Sequence, residues 1–357
     1  MREDKVGLLT FHHVLNYGAV LQCFALQEVI KDIYGNCTVI PYECKKLSEN
    51  DKLIKRGHIT LIQIAKAFSQ GYGNCRKRKK FRGFIETYLN LDASVNWDNF
   101  ETIIVGSDQV WNLILTDNDY TYLLEHINCK KIAYAASMGE NDIRLDDRER
   151  LFGDIRNFGS VSLRESVACE LLAQHDIETK EVLDPVFLLD RRKWESLAMK
   201  VKISMPKHYI LVYCVEKSQE VFSYARTISE KYEYPIIYLN QNMFFKEKNF
   251  SYRRGTSPID FLQYIYRADF IITNSFHGTA FSIIFHKKFA CDLAWHKREN
   301  KRLANLLKKI DLEQRSISCL RSENNGIEAE INYIRVKEKL SGYIDNSKEF
   351  LKKALEK

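Results

Sequence analysis

The residues able to do chemistry gather where apolar runs end. The run Ile271-Ile272-Thr273 stops in Asn274-Ser275-Phe276-His277-Gly278, just ahead of a plausible helix. Histidine suits proton transfer because its unperturbed pKa lies near neutrality. A strand end feeding a helix is also where an open α/β sheet holds ligands, since helix N-termini point free N–H groups at anions. The plainer reading of His277 is a residue that caps the helix or fills a hydrogen-bonded corner. Other strand signals end in the same way. Residues 102–105 close in Gly106-Ser107-Asp108-Gln109, residues 132–136 run into Ser137, and residues 161–163 run into Arg164-Glu165. A first strand at 6–11 gives way to a polar turn through His12, His13 and Asn16. Each of Asn16, Ser107, Asp108, Ser137 and Arg164 taken singly is a cap or turn candidate. Together they read as one polar rim.

The elements that must position this rim alternate. A strand at 6–11 is followed by helical spacing of Leu21, Ala25 and Val29, a second strand at 38–42, and then a break over about 50–95. That break contains two helical patterns around the run Arg76-Lys77-Arg78-Lys79-Lys80, and it reads as a helical insertion in the first domain. Strands return as above, Asp184-Pro185 interrupts regular pairing, and a helix at 190–199 leads out of the first domain. A second series follows: strands at 209–215, 236–239, 270–273 and 289–293, with helices at 219–231, 258–266 and 280–285. Strands alternating with helices imply parallel sheets covered on both faces, an α/β fold class. A chain of 357 residues exceeds one core, so two domains are expected, 1–195 and 206–312. Residues 313–357 form a helical tail, with Asn346 to Glu349 resembling a capping pair before a last helix.

Composition narrows the class. Hydrophobic residues make up 45% and charged residues 28%, as in an ordinary globular protein, so disorder is expected to be local. The 9 cysteines lack paired metal spacing and read as reduced thiols of a cytoplasmic protein, with no metal site expected. No segment has the apolar length of a signal peptide core or a membrane span. The net charge of +7 suits anionic ligands or an anionic membrane surface. For the basic run, a solvated helix face or linker competes with a site for phosphate or a lipid headgroup. No nucleic-acid partner is expected, because aromatics do not interleave with the charges as in a single-strand binder.

Several fragments in order carry a resemblance. Thr10-Phe11-His12, Asn16-Tyr17-Gly18-Ala19-Val20-Leu21-Gln22, Val105-Gly106-Ser107-Asp108-Gln109-Val110-Trp111-Asn112, Tyr134-Ala135-Ala136-Ser137, Ser162-Leu163-Arg164-Glu165, Leu183-Asp184-Pro185 and Asn274-Ser275-Phe276-His277-Gly278 resemble the polysaccharide pyruvyl transferase family. The resemblance implies a glycosyltransferase-B-like architecture of two Rossmann-like domains facing a cleft, with the C-terminal helix crossing back to the first domain. It implies transfer of a pyruvyl group from phosphoenolpyruvate to two hydroxyls of a sugar, forming a cyclic ketal on a capsule or exopolysaccharide, or on its lipid-linked precursor. Phosphate is released, and no cofactor is needed. A lipid-linked acceptor would bring the chain to the inner face of the membrane, with the basic run as its contact.

That chemistry needs a proton donor, a proton acceptor, and cations or N–H groups for a carboxylate and a phosphate. By the resemblance His277 serves proton transfer or leaving-group stabilisation, and Asp108 is the candidate base or hydroxyl acceptor. Arg164 either holds the donor's carboxylate or phosphate in two-pronged fashion or pairs with Glu165 or another acid. Asn274, Ser275 and Gly278 belong to the donor side, while Asn16, Tyr17, Gly18, Ser107, Gln109 and Ser137 belong to the acceptor side. Tyr17 either stacks on a sugar ring or fills the core. Some family members carry an arginine two residues before the motif histidine, where this chain has Ser275. The missing charge is then expected from Arg253, Arg254, Lys288, Arg298 or Arg302, each of which is otherwise surface charge. Two other readings use the same fold: a nucleotide-sugar-dependent glycosyltransferase, and a non-catalytic glycan-binding relative.

Overall fold

The computed structural model describes residues 5–50, 61–139, 145–241, 247–295, 298–322 and 326–356. In chain order the elements that matter for the site are β1 Val6–Leu9, α1 Tyr17–Tyr34, β2 Thr38–Val39, α2 Leu61–Tyr88, β3 Thr102–Val105, β4 Lys130–Ala136, β5 Ser160–Leu163, β6 Lys180–Glu181, α3 Arg191–Ala198, β7 Ile210–Tyr213, α4 Gln219–Tyr232, β8 Ile236–Leu239, β9 Phe250–Arg253, α5 Pro258–Arg267, β10 Phe270–Thr273, α6 Phe276–Ile284, β11 Lys288–Cys291, α7 Lys301–Lys309 and α8 Tyr333–Glu356. Contacts divide the chain into two compact units, one of residues 1–52, 83–189 and 342–357, the other of 53–82 and 190–341.

The first unit holds a six-stranded sheet in the order β2-β1-β3-β4-β5-β6, parallel throughout. Its central strands are buried along their whole length, as in Val6–Leu9 and Thr102–Val105, which is why they read as unbroken apolar runs rather than alternating ones. Leu9, Ile103, Val105, Trp111, Tyr122 and Phe152 belong to the core on one side. The strand order reverses between β1 and β3. The second unit holds a five-stranded parallel sheet in the order β11-β10-β7-β8-β9, with its reversal between β7 and β10. Val212, Val221, Phe222, Ile272 and Ala290 belong to its core. Helix α5 begins as Pro258 after Ser257 suggests: Ser257 and Asp260 close a reciprocal capping box.

Four assignments made from the sequence change. Residues 50–95 are not a simple insertion in the first domain, because the basic run lies inside the single long helix α2, and residues 61–82 group with the second unit. The cause is specific packing. Lys80 Nζ pairs with Asp260 Oδ2 at 2.5 Å, and the aliphatic part of Arg76 lies against Gly255. Residues 51–60 of that stretch lie outside the described residues. Helix α3 also belongs to the second unit, where Trp194 meets Phe281 edge-on at 5.0 Å and Gln263 Nε2 donates to Ala198 O.

The last helix starts earlier than Asn346, at Tyr333. Ser347 therefore sits within the helix and bonds Tyr343 O, four residues back, while its hydroxyl also accepts from Leu183 N at 3.0 Å. With Phe350 beside Tyr134, these contacts place residues 342–356 in the first unit. Strand β9 was not foreseen, because Phe-Ser-Tyr-Arg on a sheet edge has neither an apolar run nor a long alternation. Among the described residues no helix is long and apolar enough to cross a membrane.

Candidate active site

In the second unit the reversal point lies between the ends of β7 and β10, and side chains lock the turn that follows β10. Thr273 Oγ1 donates to Tyr213 O at 2.5 Å and accepts from Ser275 N at 3.0 Å. Asn274 clamps the neighbouring strand end, accepting from Val215 N at 3.0 Å and donating to Glu216 O at 2.9 Å. Ser275 is the N-cap of α6, its Oγ accepting from Gly278 N at 3.2 Å. A short side chain with an acceptor oxygen is what an N-cap requires, and an arginine cannot supply it. A Cβ on residue 278 would stand 2.5 Å from Thr273 Oγ1, so only glycine lets the turn close. Asn274, Ser275 and Gly278 thus build the turn that presents His277, which is half-buried in the first turn of α6 with its ring edge-on to Phe276 at 5.2 Å.

Three of the described helices begin near the carboxyl ends of β7, β10 and β11, the strands at and beside the reversal. Ser218 caps α4, Ser275 caps α6 and Asn300 caps α7, each accepting from the helix's own N–H groups. Their positive dipole ends favour an anion here. Asn300 N bonds Leu293 O at 2.6 Å, which starts α7 next to the end of β11, the strand beside β10. Half-buried Arg302 lies in the first turn of α7, one strand from the His277 turn. The other donor-side cations are elsewhere. Lys288 opens β11, pairs in register with Phe270 at the amino edge, and bonds Glu330 Oε1 at 2.7 Å. Three residues of rise, about 10 Å, separate it from the rim, so it is not a donor ligand here. Arg253 does end a strand at the correct edge, but β9 is three strand spacings from β10, about 14 Å. Its guanidinium bonds the Tyr264 hydroxyl.

In the first unit the reversal lies between β1 and β3. Thr10 Oγ1 donates to Ser107 O at 2.8 Å and accepts from Gln22 Nε2 at 3.0 Å, tying the two strand ends together. Asn16 caps α1 through Gly18 N at 2.9 Å. Tyr17 is 2% exposed, so the core reading holds and no ring face is open to a sugar. Gly106 has φ +110°, and a Cβ there would stand 2.3 Å from Tyr134 O, so the chain passes β4 only as glycine. Ser107 is buried. Asp108 then takes φ +76°, a conformation that costs an aspartate about 1–3 kcal/mol. It is held there by a bridge to Ala136 and by Ser137 N, which donates to Asp108 O at 3.0 Å. Ser137 Oγ donates to Glu165 Oε1 at 2.7 Å, and Gln109 Oε1 accepts from Asn112.

Arg164 is the charge at the centre of this rim. Its side chain is 4% exposed, with Nη1 2.7 Å from Asp184 Oδ2 and Nη2 3.6 Å from Asp108 Oδ1. Burial alone would pull the guanidinium down, but Asp184, Asp108 and Glu165 together hold it above its ordinary value. The ion-pair reading of Arg164 is the one the geometry supports. Its chief partner is Asp184, of the Leu183-Asp184-Pro185 fragment. Asp108, 15% exposed, is the member of this pair of contacts that solvent reaches.

His12 and His13 lie in the polar turn that follows β1. Their rings meet edge-on at 5.4 Å. Burial, and then the neighbouring His12, push His13 down to about 4 against the opposing pull of the Cys44 backbone. Among the described residues no group of three or more His, Cys, Asp or Glu is placed to hold a metal ion.

Two Rossmann-like α/β units, each with a parallel sheet and polar strand ends, give the chain a fold of the glycosyltransferase-B type. The fold is shared with the UDP-GlcNAc 2-epimerase of Neisseria meningitidis bound to UDP-GlcNAc, at 10% identity and a TM-score of 0.52 over 99% of each chain. It is shared also with MnaA of S. aureus solved with UDP, at 10% identity and a TM-score of 0.51 over 94% of this chain and 91% of that one. At such identity the likeness concerns fold alone. A comparison with curated proteins gives no match. The family model for polysaccharide pyruvyl transferase matches residues 16–291, most of the chain, and the protein belongs to that family.

The depressed His13 has a consequence for stability. Its folded-state value lies below its ordinary 6.5, so the unfolded chain takes up protons first as pH falls. The stability contributed above pH 6.5 is lost progressively toward pH 4. Chemical denaturation across that window is expected to show a falling midpoint that His13→Gln flattens. An equally steep fall in the variant would remove this assignment.

Proposed function

We propose that this family member transfers a pyruvyl group from phosphoenolpyruvate to two hydroxyls of a sugar, forming a cyclic ketal and releasing phosphate. The observation that carries the reading is the segregation of charge between the two rims. Among the described residues the first unit's rim sets Asp108, Glu165 and Asp184 against buried Arg164, which suits neutral hydroxyls better than an anion. The second unit's rim sets His277 and Arg302 among three helix N-termini, which suits a small, doubly anionic donor.

The residues divide the work accordingly. Arg302 and the positive N-terminal end of α6 hold the donor's carboxylate and phosphate. Protonation of the methylene carbon leaves an oxocarbenium-like centre at C2, which the first hydroxyl oxygen attacks as its proton passes to Asp108. The C2–O bond to phosphate then breaks and the second hydroxyl closes the ring. Of the two hydroxyl protons released, one balances the new methyl group and the other leaves with phosphate. His277 serves the proton transfer or the departing phosphate. General acid and base steps of this kind each contribute about 100-fold to 10,000-fold.

The acceptor is a unit of a surface polysaccharide or its lipid-linked precursor, met at the cytoplasmic face of the membrane. Arg76, Arg78, Lys79 and Arg82 are exposed on α2 and offer the contact. Each cation near an anionic surface contributes about 1 kcal/mol.

Mass spectrometry of sugar acceptors incubated with phosphoenolpyruvate tests the reaction. A gain equal to a pyruvyl ketal is expected, whereas a hexose gain from a nucleotide sugar would overturn the donor assignment. His277→Ala and Asp108→Asn are each expected to lower phosphate release at least about 100-fold while remaining folded, and near-normal turnover would remove the role concerned. Glutamine at the four cationic positions of α2 is expected to weaken binding to phosphatidylserine vesicles, and unchanged binding would end the membrane reading.

A further inference from the structure

We propose that Asp184, which no substrate reaches, is a positioning residue for Asp108 and acts through Arg164. The inference rests on the reading of Asp108 as the group that accepts the hydroxyl proton. The chain of contacts is short and dry. Asp184 Oδ1 accepts from Val186 N at 3.1 Å, where Asp184 caps the turn Pro185–Phe187. Val186 and Phe187 are buried, so the turn is anchored in the core and cannot rotate away. This leaves Oδ2 aimed at Arg164 Nη1, at 2.7 Å, with the Asp184 side chain fully buried. The second prong, Nη2, then lies 3.6 Å from Asp108 Oδ1, which also accepts from Gln109 N at 2.8 Å. One oxygen of Asp108 is thereby approached from two sides.

The unequal distances matter. A buried guanidinium must be neutralised, and Asp184 does this at direct hydrogen-bond length. Asp108 is left at a longer contact that orients its carboxylate without consuming it. Because Arg164 is 4% exposed, its field acts on Asp108 with little screening, yet an incoming donor cannot grip it as a two-pronged clamp. The planar fork is needed for the two directions at once, which a lysine would not provide. Glu165, bonded to Ser137, holds the adjoining backbone from the other side.

A kinetic cycle on the full chain separates positioning from mere stability. Asp184→Asn is close to isosteric, and its phosphate release is expected to fall about tenfold or more in kcat, with the KM for phosphoenolpyruvate unchanged within about twofold. Combined with Asp108→Asn, it should add no further loss, since both act on one step. Arg164→Lys should behave in the same way and serves if Asp184→Asn fails to fold. Multiplied losses in the double variant, or a raised KM with kcat intact, would overturn the proposal. A crystal structure of whichever variant folds gives a readout independent of the reaction. In Asp184→Asn, Arg164 is expected to turn and bond Asp108 directly, and in Arg164→Lys the Asp108 carboxylate is expected to move; an unmoved Asp108 in either would overturn the proposal. If the wild type turns over no phosphoenolpyruvate, the reaction assignment fails while this structural result still decides the positioning.

Discussion

Everything at the two rims depends on one constraint of parallel sheets: where strand order reverses, the loops leaving adjacent strands run in opposite directions and leave a crevice between them. In one unit this happens between β1 and β3, in the other between β7 and β10. The ends of those four strands carry His12 and His13, Asp108, Val215 and the Asn274 to Gly278 turn. The burial of the strands themselves follows from the helices that cover both faces. The sheet therefore does two things with one arrangement, since the runs that fill the core also end where chemistry has room.

Most polar residues at these ends are engaged in building them. Thr10, Thr273, Asn274 and Ser275 satisfy backbone groups of adjacent turns. The candidate substrate groups are held by that framework: Asp108 in a left-handed conformation that its neighbours enforce, and His277 in the first turn of a capped helix. A strained aspartate kept in place by a bridge to β4 is stability given up at one residue, and such sites are commonly functional.

Much of this was legible in the sequence, and the reasons are physical. The bounds 102–105, 236–239 and 270–273 coincide with β3, β8 and β10 because fully buried strands are apolar throughout and stop abruptly at polar turns. The positions of His277 and Asp108 followed from the same signal. The partner of Arg164 was not legible, because Asp184 follows it by twenty residues and comes near only when β5 and the turn after β6 pack together. Lys288 misled for a related reason: a lysine beside a strand does not say which end of the strand it occupies. The allegiance of α2 was hidden because a charged helix shows its tertiary partner, here Asp260, only in three dimensions.

The central claim is that the donor anion belongs to the His277 rim and the acceptor hydroxyls to the Asp108 rim. Titration calorimetry of phosphoenolpyruvate tests it most directly, because binding is read without turnover. Affinity is predicted to stay within about threefold of wild type in Asp108→Asn and to fall about tenfold or more in Arg302→Gln, a change of about 1.4 kcal/mol. The reverse pattern, with donor binding lost at Asp108 and retained at Arg302, would contradict the account.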